Sequence, residues 1–430
     1  MTYSEALEYM YNRLPMFQRI GAAAYKADLS VTVALCRALG NPQVKFPSVH
    51  IAGTNGKGSV SHITASVLRQ AGYRTGLFTS PHLRDYRERM RINGVMIPEQ
   101  FVTRFVEQNI PLFEKVKPSF FEMTFAMACE WFASEKIEVA VMETGMGGRL
   151  DSTNTCRTVL SVITNISPDH MQFLGDTLPK IAAEKAGIIR SGIPVIIGQT
   201  QEETDYVFTD RCRELNSRCL HADQEFEVNS VSYLQDRNVL QMDVLKNGLP
   251  YLPDLFSPLP GSYQIKNIIT AVKVNEMLPD AGFLTTIENF RKGLERVIID
   301  TGITGRWQKL GDNPSSFCDT GHNEDGIRQV LHQLSLMHYR KLHFVIGMVA
   351  DKDINHVLSL LPEDAVYYFC RAGIPRALAA DALAAIALTY GLKGTICGSV
   401  DDAYRMAREN AGTNDIVLVG GSTFVVAEVV

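Results

Sequence analysis

Through the first two thirds of the chain, short β-branched apolar runs alternate with stretches whose apolar residues recur at helical spacing. Parallel strands are joined by crossover helices and buried on both faces, so this alternation predicts a mostly parallel sheet covered by helices. Strands are expected over residues 49–52, 75–79, 139–142, 159–164 and 194–198. From about residue 225 to 259 the pattern changes. Glu225-Phe-Glu-Val, Val231-Ser-Tyr-Leu and Val239-Leu-Gln-Met-Asp-Val are separated by polar turns, which predicts a small antiparallel appendage, and a helix follows over 264–277. Residues 297–305 carry two glycines without helical periodicity and read as a linker. Beyond it the alternation resumes, with strands expected at 316–318, 342–347, 366–370, 394–397 and 416–419. The expected fold is α/β: a mostly parallel P-loop-type sheet domain with its antiparallel appendage, then a smaller Rossmann-like α/β domain. The expected division is 1–297, a linker at 298–304, and 305–430.

Length and composition narrow this picture without changing it. The 430 residues exceed one ordinary core, and 46% hydrophobic with 21% charged residues is normal for a globular chain. A net charge of −5 gives no electrostatic case for nucleic acid or an anionic membrane surface. No apolar run reaches the length of a membrane span, and Met1-Thr-Tyr-Ser-Glu shows no secretory signal. Eight cysteines without a Cys-x-x-Cys pair read as reduced thiols, so a cytoplasmic place is expected.

The chemistry begins at Gly53-Thr-Asn-Gly-Lys-Gly-Ser59, between an apolar run and a helical stretch. Glycines let the backbone turn tightly enough for its N–H groups to face a phosphate, and the helix start and Lys57 add positive charge. The loop departs from the common phosphate-loop pattern. Ile51 stands where a first glycine is usual, and Gly58 then Ser59 follow the lysine. Thr54, Asn55, Gly56, Lys57, Gly58 and Ser59 are therefore candidate nucleotide contacts.

Three further segments run from apolar strand into polar turn: Thr75-Gly-Leu-Phe-Thr into Ser80-Pro-His; Val139-Ala-Val-Met into Glu143-Thr-Gly-Met-Gly-Gly-Arg-Leu-Asp151; and 159–164 into Asn165-Ile-Ser-Pro-Asp-His170. In a parallel sheet such ends lie on the phosphate-loop side. Ser80 and Glu143 suit magnesium, which takes oxygen ligands; His170 is a less usual one. The Glu184-Lys185 pair, on a helix ending near Gly187, reads from pattern alone as surface charge. Pro118-Ser-Phe-Phe-Glu-Met-Thr124 opens another helix, whose two aromatics either pack in the core or form a platform for a flat ring.

Taken in order, these motifs resemble the folylpolyglutamate synthase/dihydrofolate synthase family of the Mur ligase superfamily. The resemblance runs from about residue 26 to 428 and includes Phe78-Thr-Ser-Pro-His-Leu, Glu88-Arg-Met-Arg-Ile-Asn-Gly, Phe120-Phe-Glu-Met-Thr, Gly305-Arg-Trp, Asp319-Thr-Gly-His-Asn and Gly420-Gly-Ser-Thr-Phe. It implies ATP-driven amide formation, in which a pteroate or folate carboxylate takes the γ-phosphoryl group and the amine of L-glutamate attacks the acyl phosphate. It also implies roles for particular residues. The loop, with Asn267, Arg306 and Asp319, would hold ATP. Ser80, Glu143 and His170 would hold two magnesium ions, with Lys185 as a carbamylated lysine beside them; potassium is a further candidate ion. Lys57, Glu143, His170 and Lys185 would carry the chemistry. Lys26, Asp28, Phe121, Glu122, Thr124, Leu150, Asp151 and Ser152 would face the pterin, and His322 and Ser422 the incoming glutamate. A monomer is expected. The chain departs from the family where Tyr263 replaces a histidine, Arg306 precedes Trp307, and Asp319-Thr-Gly-His-Asn-Glu replaces Asp-Gly-Ala-His-Asn-Pro. Two alternatives stand beside this reading: a Mur-type ligase acting on a cell-wall precursor, and a nucleotide-binding switch without ligation. Dihydropteroate and reduced folate both remain open as acceptors.

Overall fold

The computed structural model describes residues 1–16, 28–234, 237–350 and 354–430. The chain divides into two compact units, one of Met1–Pro258 with Gln264–Ile303, the other of Leu259–Tyr263 with Thr304–Val430.

In the first unit, strands β1 (Pro47–Ala52), β2 (Thr75–Phe78), β3 (Met90–Ile92), β4 (Val95–Met96), β5 (Val139–Glu143), β6 (Arg157–Ile163), β7 (Val195–Ile197) and β8 (Cys219–His221) form one sheet in the order β4-β3-β2-β5-β1-β6-β7-β8. From β2 through β8 every pairing is parallel; β3 and β4 turn back antiparallel at one edge. The central strands β1 and β5 are buried almost throughout, as a sheet covered on both faces requires. Val49, Ile51, Val141, Leu160 and Val162 have no exposed surface. The five expected strands are all present. The three short strands β3, β4 and β8 were missed, because runs of two or three residues carry too little periodicity. The appendage is a three-stranded antiparallel sheet of β9 (Phe226–Leu234), β10 (Val239–Lys246) and β11 (Leu249–Ser257), ordered β11-β10-β9. The helix after it runs Gln264–Met277.

The expected linker is corrected in part. Val297–Thr301 is a short helix, ended by Gly302 in the left-handed conformation. Its Asp300 carboxylate is wholly buried, accepting from Ser66 Oγ at 3.1 Å and pairing with Arg69 at 3.4 Å, so the segment packs within the first unit. Periodicity is hard to detect in one turn of helix.

The second unit holds β12 (Gln308–Asp312), β13 (Ser315–Cys318), β14 (Leu342–Ile346), β15 (Val366–Phe369), β16 (Gly394–Ile396) and β17 (Ile416–Gly420), ordered β12-β13-β17-β14-β15-β16. All pairings are parallel except the β12–β13 hairpin. Its central strands β14 and β17 are fully buried.

Candidate active site

The loop 53–56 leaves the end of β1 and enters the helix Lys57–Gln70 through Gly56, whose φ is +83°. A Cβ on Gly56 would sit 2.1 Å from Asn267 Oδ1, and one on Gly53 would sit 1.8 Å from Thr164 Oγ1. Only glycine allows these approaches. The loop is clamped onto the segment after β6. Asn165 accepts the Asn55 N–H at 2.8 Å through its side chain and the Thr54 N–H at 2.9 Å through its carbonyl; Thr164 Oγ1 donates to the Asn55 carbonyl at 2.6 Å. Thr54 Oγ1 donates to Ser167 O at 3.1 Å and accepts the Ser167 N–H at 3.0 Å. As N-cap, Gly56 offers no side-chain acceptor to the helix N–H groups that follow, leaving this terminus suited to an external anion.

Two lysines converge on the loop. Lys57 Nζ donates to the Gly53 carbonyl at 3.1 Å and the Thr54 carbonyl at 2.9 Å. Lys185 Nζ, on the helix Leu178–Ala186, donates to the same Gly53 carbonyl at 2.7 Å. The surface-charge reading of Lys185 is corrected: this side chain is buried, whereas Glu184 faces outward to pair with Arg149 at 2.8 Å. Burial, then the charge of Lys57, lowers the Lys185 ammonium to about 7. Glu143, buried at the end of β5, accepts the Ser80 N–H at 3.0 Å, so those two strand ends meet as expected. His170 is half-buried with a positive φ, at the start of a short helix after Asp169.

Carboxylates expected near the pterin are engaged by their own backbone. Asp151 Oδ2 accepts the N–H groups of Gly145 (2.9 Å) and Met146 (3.0 Å); its Oδ1 accepts the Thr153 N–H (3.0 Å) and hydroxyl (2.5 Å). It thus holds the Gly-Met-Gly-Gly turn. Its pKa is raised, because burial outweighs these bonds. Glu122 closes a capping box with Ser119 and accepts from Thr32 Oγ1 at 3.2 Å; that hydroxyl lies 3.0 Å from Ser152 Oγ. Thr124 Oγ1 donates to Phe120 O and accepts from the Tyr86 hydroxyl. Phe121 and Leu150 are half-buried, and Phe121 lies edge-on to Phe78. Asp28 is exposed and accepts the Ser30 N–H at 2.7 Å. Lys26 lies outside the described residues.

In the second unit Asp319 is buried at the end of β13. It accepts the Trp307 N–H at 2.8 Å, the Gly321 N–H at 2.7 Å and the Tyr263 hydroxyl. Burial raises its pKa. Arg306 donates to Thr320 Oγ1. His322 Nδ1 lies 2.9 Å from Thr320 O, and Ser422 Oγ caps the helix Thr423–Ala427. Asn165 and Thr164, which shape the nucleotide-side loop, were absent from the expected set. Their only sequence signal is position, at the end of the strand beside β1.

A parallel sheet carrying a glycine-lysine loop, followed by a second α/β unit, is an architecture shared with the Mur ligases. The Mur ligase middle domain matches residues 51–274, and the Mur ligase glutamate ligase domain matches 305–423. The chain is 33% identical to a probable bifunctional folylpolyglutamate synthase/dihydropteroate synthase of Haloferax volcanii, over 100% of this chain and 50% of that protein; it thus spans about half of that relative's length. It is 31% identical to the folylpolyglutamate synthase of Lacticaseibacillus casei, over 88% of this chain and 87% of that one. A solved bifunctional folylpolyglutamate synthase/dihydrofolate synthase with Mn, AMPPNP and L-glutamate bound superposes at a TM-score of 0.83 with 27% identity, over 100% of this chain and 97% of that one. The chain belongs to the folylpolyglutamate synthase/dihydrofolate synthase family of Mur ligases, enzymes that form carbon–nitrogen bonds.

Proposed function

We propose that this enzyme joins the amine of L-glutamate to the carboxylate of dihydropteroate or a reduced folate, releasing ADP and phosphate. The observation that carries the reading is the convergence of Lys57 and Lys185 on the Gly53 carbonyl, beside a helix start with no side-chain cap. The Lys57 cation, beside a helix start without a side-chain cap, suits a triphosphate far better than a neutral ligand.

A carboxylate does not react with an amine at neutral pH, so it needs a leaving group. The acceptor carboxylate attacks the γ-phosphorus of ATP, ADP departs, and the acyl phosphate forms. The glutamate nitrogen then attacks the acyl carbon, phosphate leaves, and the nitrogen releases its proton. Positioning and charge stabilisation supply most of the acceleration in such phosphoryl transfers. Thr54, Asn55, Gly56, Lys57, Gly58 and Ser59 hold the phosphates. Asn267, packed behind Gly56, is a further nucleotide contact of the first unit; Arg306 and Asp319 are the nucleotide contacts that the family resemblance implies in the second. Phe121, Glu122, Thr124, Leu150, Asp151 and Ser152, with Asp28, face the acceptor; His322 and Ser422 receive glutamate.

Among the described residues no group of three or more His, Cys, Asp or Glu side chains forms a metal cage. Magnesium characteristically takes one or two carboxylates plus phosphate oxygens and water. Glu143, with Ser80 and His170, would hold two such ions, which would neutralise phosphate charge. The lowered Lys185 ammonium yields the neutral amine that a carbamate requires. Carbamylation would add an anion beside the metals, and potassium is a further candidate ion. No helix among the described residues is long and apolar enough to cross a membrane. On the family reading, the proposed working form is a cytoplasmic monomer.

The test is ATP-to-ADP turnover with magnesium and glutamate, offering dihydropteroate or a tetrahydrofolate monoglutamate separately and identifying products by mass. Glutamyl adducts from either acceptor support the reading. ADP release that ignores acceptor and glutamate overturns it.

A further inference from the structure

Arg89 ends the turn that leads into β3 and is only 3% exposed. Its position is closely set. Its carbonyl accepts the Thr79 N–H at 3.1 Å, beside Ser80. Its Nε donates to His82 Nδ1 at 2.7 Å, and its guanidinium lies over the Phe120 ring at 5.3 Å. Tyr11 stacks on Phe120 at 5.6 Å and Tyr86 meets it edge-on at 5.7 Å, giving an aromatic surround.

The terminal nitrogens are the anomaly. Among the described residues neither Nη1 nor Nη2 has a hydrogen-bond partner, and no carboxylate pairs with this guanidinium. Neither atom is among the sealed, unpartnered ones, whereas Arg91 Nε and Arg376 Nε are. The Arg89 donors therefore still reach open space. The neighbouring Glu88 does not answer the charge, because its carboxylate accepts the N–H groups of Leu83, Arg84 and Asp85 at 2.8 to 3.1 Å. Glu143 acts on Arg89 only through its field. A buried cation without an anionic partner is costly, and a planar fork of N–H donors is the geometry that fits a carboxylate.

We propose that Arg89 is the specificity-determining contact for a second, non-reacting carboxylate on the acceptor, the α-carboxylate of a glutamate-bearing folate. This deepens the ligase reading and rests on it. The reacting γ-carboxylate belongs beside Glu143 and the phosphate loop, and a glutamyl tail carries its α-carboxylate three carbons away. Dihydropteroate has one carboxylate, which reacts, and so has nothing to offer Arg89.

The experiment measures equilibrium binding of three probes to the full chain with an unreactive ATP analogue and magnesium: folate, folate amidated at its α-carboxylate, and pteroate. In the native protein the α-amide should bind about tenfold or more weakly than folate. Arg89→Gln should weaken folate by a similar factor, leave pteroate within about twofold, and cost the α-amide nothing further, since each change removes the same contact. Arg89→Lys keeps the cation and loses the fork; it should fall between, and it serves as the variant if Arg89→Gln does not fold. Equal losses for folate and pteroate, or equal native affinity for folate and its α-amide, overturn the proposal. A native protein that binds neither folate nor pteroate instead overturns the ligase reading beneath it.

Discussion

Lys185 Nζ donates to the Gly53 carbonyl at 2.7 Å, across 132 positions of sequence, and so ties the helix Leu178–Ala186 to the loop that opens Lys57–Gln70. The same carbonyl accepts from Lys57. One oxygen atom thus gathers two lysine amino groups at the point where a triphosphate would lie.

Because burial holds the Lys185 amine at about 7, below its ordinary 10.5, the folded state binds fewer protons than the unfolded chain between those values. Stability therefore rises with pH across that window, and the cost of burying this lysine is fullest below pH 7. Lys185→Met should be more stable than the native protein at pH 6, by a few kcal/mol on the order expected for such a shift, and the advantage should fade towards pH 10. Urea unfolding at both pH values checks this. Turnover in the same variant should fall far more than ATP affinity, and full activity would exclude the carbamate role.

Lys57→Ala should reduce ATP turnover by about a hundredfold or more, the scale for losing one charged contact to a developing oxyanion. The side chain bonds carbonyls of its own loop, so the melting temperature should move little. Unchanged turnover would remove the phosphate-loop assignment.

Gly56→Ala would drive a Cβ to within 2.1 Å of Asn267 Oδ1 and put a side chain at φ +83°. ATP affinity should drop about tenfold or more, since backbone strain of a few kcal/mol falls on the binding loop. Asn267→Ala in the Gly56→Ala background should restore part of that loss by clearing the collision. Equilibrium binding of an ATP analogue to the single and double variants measures the coupling.

Asp151→Asn removes one acceptor oxygen where four donors converge. The protein should lose about 1–3 kcal/mol in urea unfolding without any ligand, because at least one buried N–H is left without an acceptor. A rise in acceptor KM with no loss of stability would instead make Asp151 a pure substrate contact.

The sequence by itself determined the alternation of strands and helices, the antiparallel appendage, and the strand-to-turn positions of Gly53, Ser80, Glu143 and His170. These are legible because periodicity and glycine-rich turns are local properties of consecutive residues. Tertiary structure decided what depends on distant partners. Glu184 and Lys185 are adjacent charges on one helix, yet one faces outward and the other is buried against Gly53. The four donors that converge on Asp151, and the burial of Arg89, likewise come from residues and elements that the local sequence does not reveal. The division of the chain followed the same rule, since Leu259–Tyr263 joins the second unit ahead of a first-unit helix. Whether a charge is solvated, paired or left waiting for a ligand depends on which elements pack around it, and the order of residues along the chain does not carry that information locally.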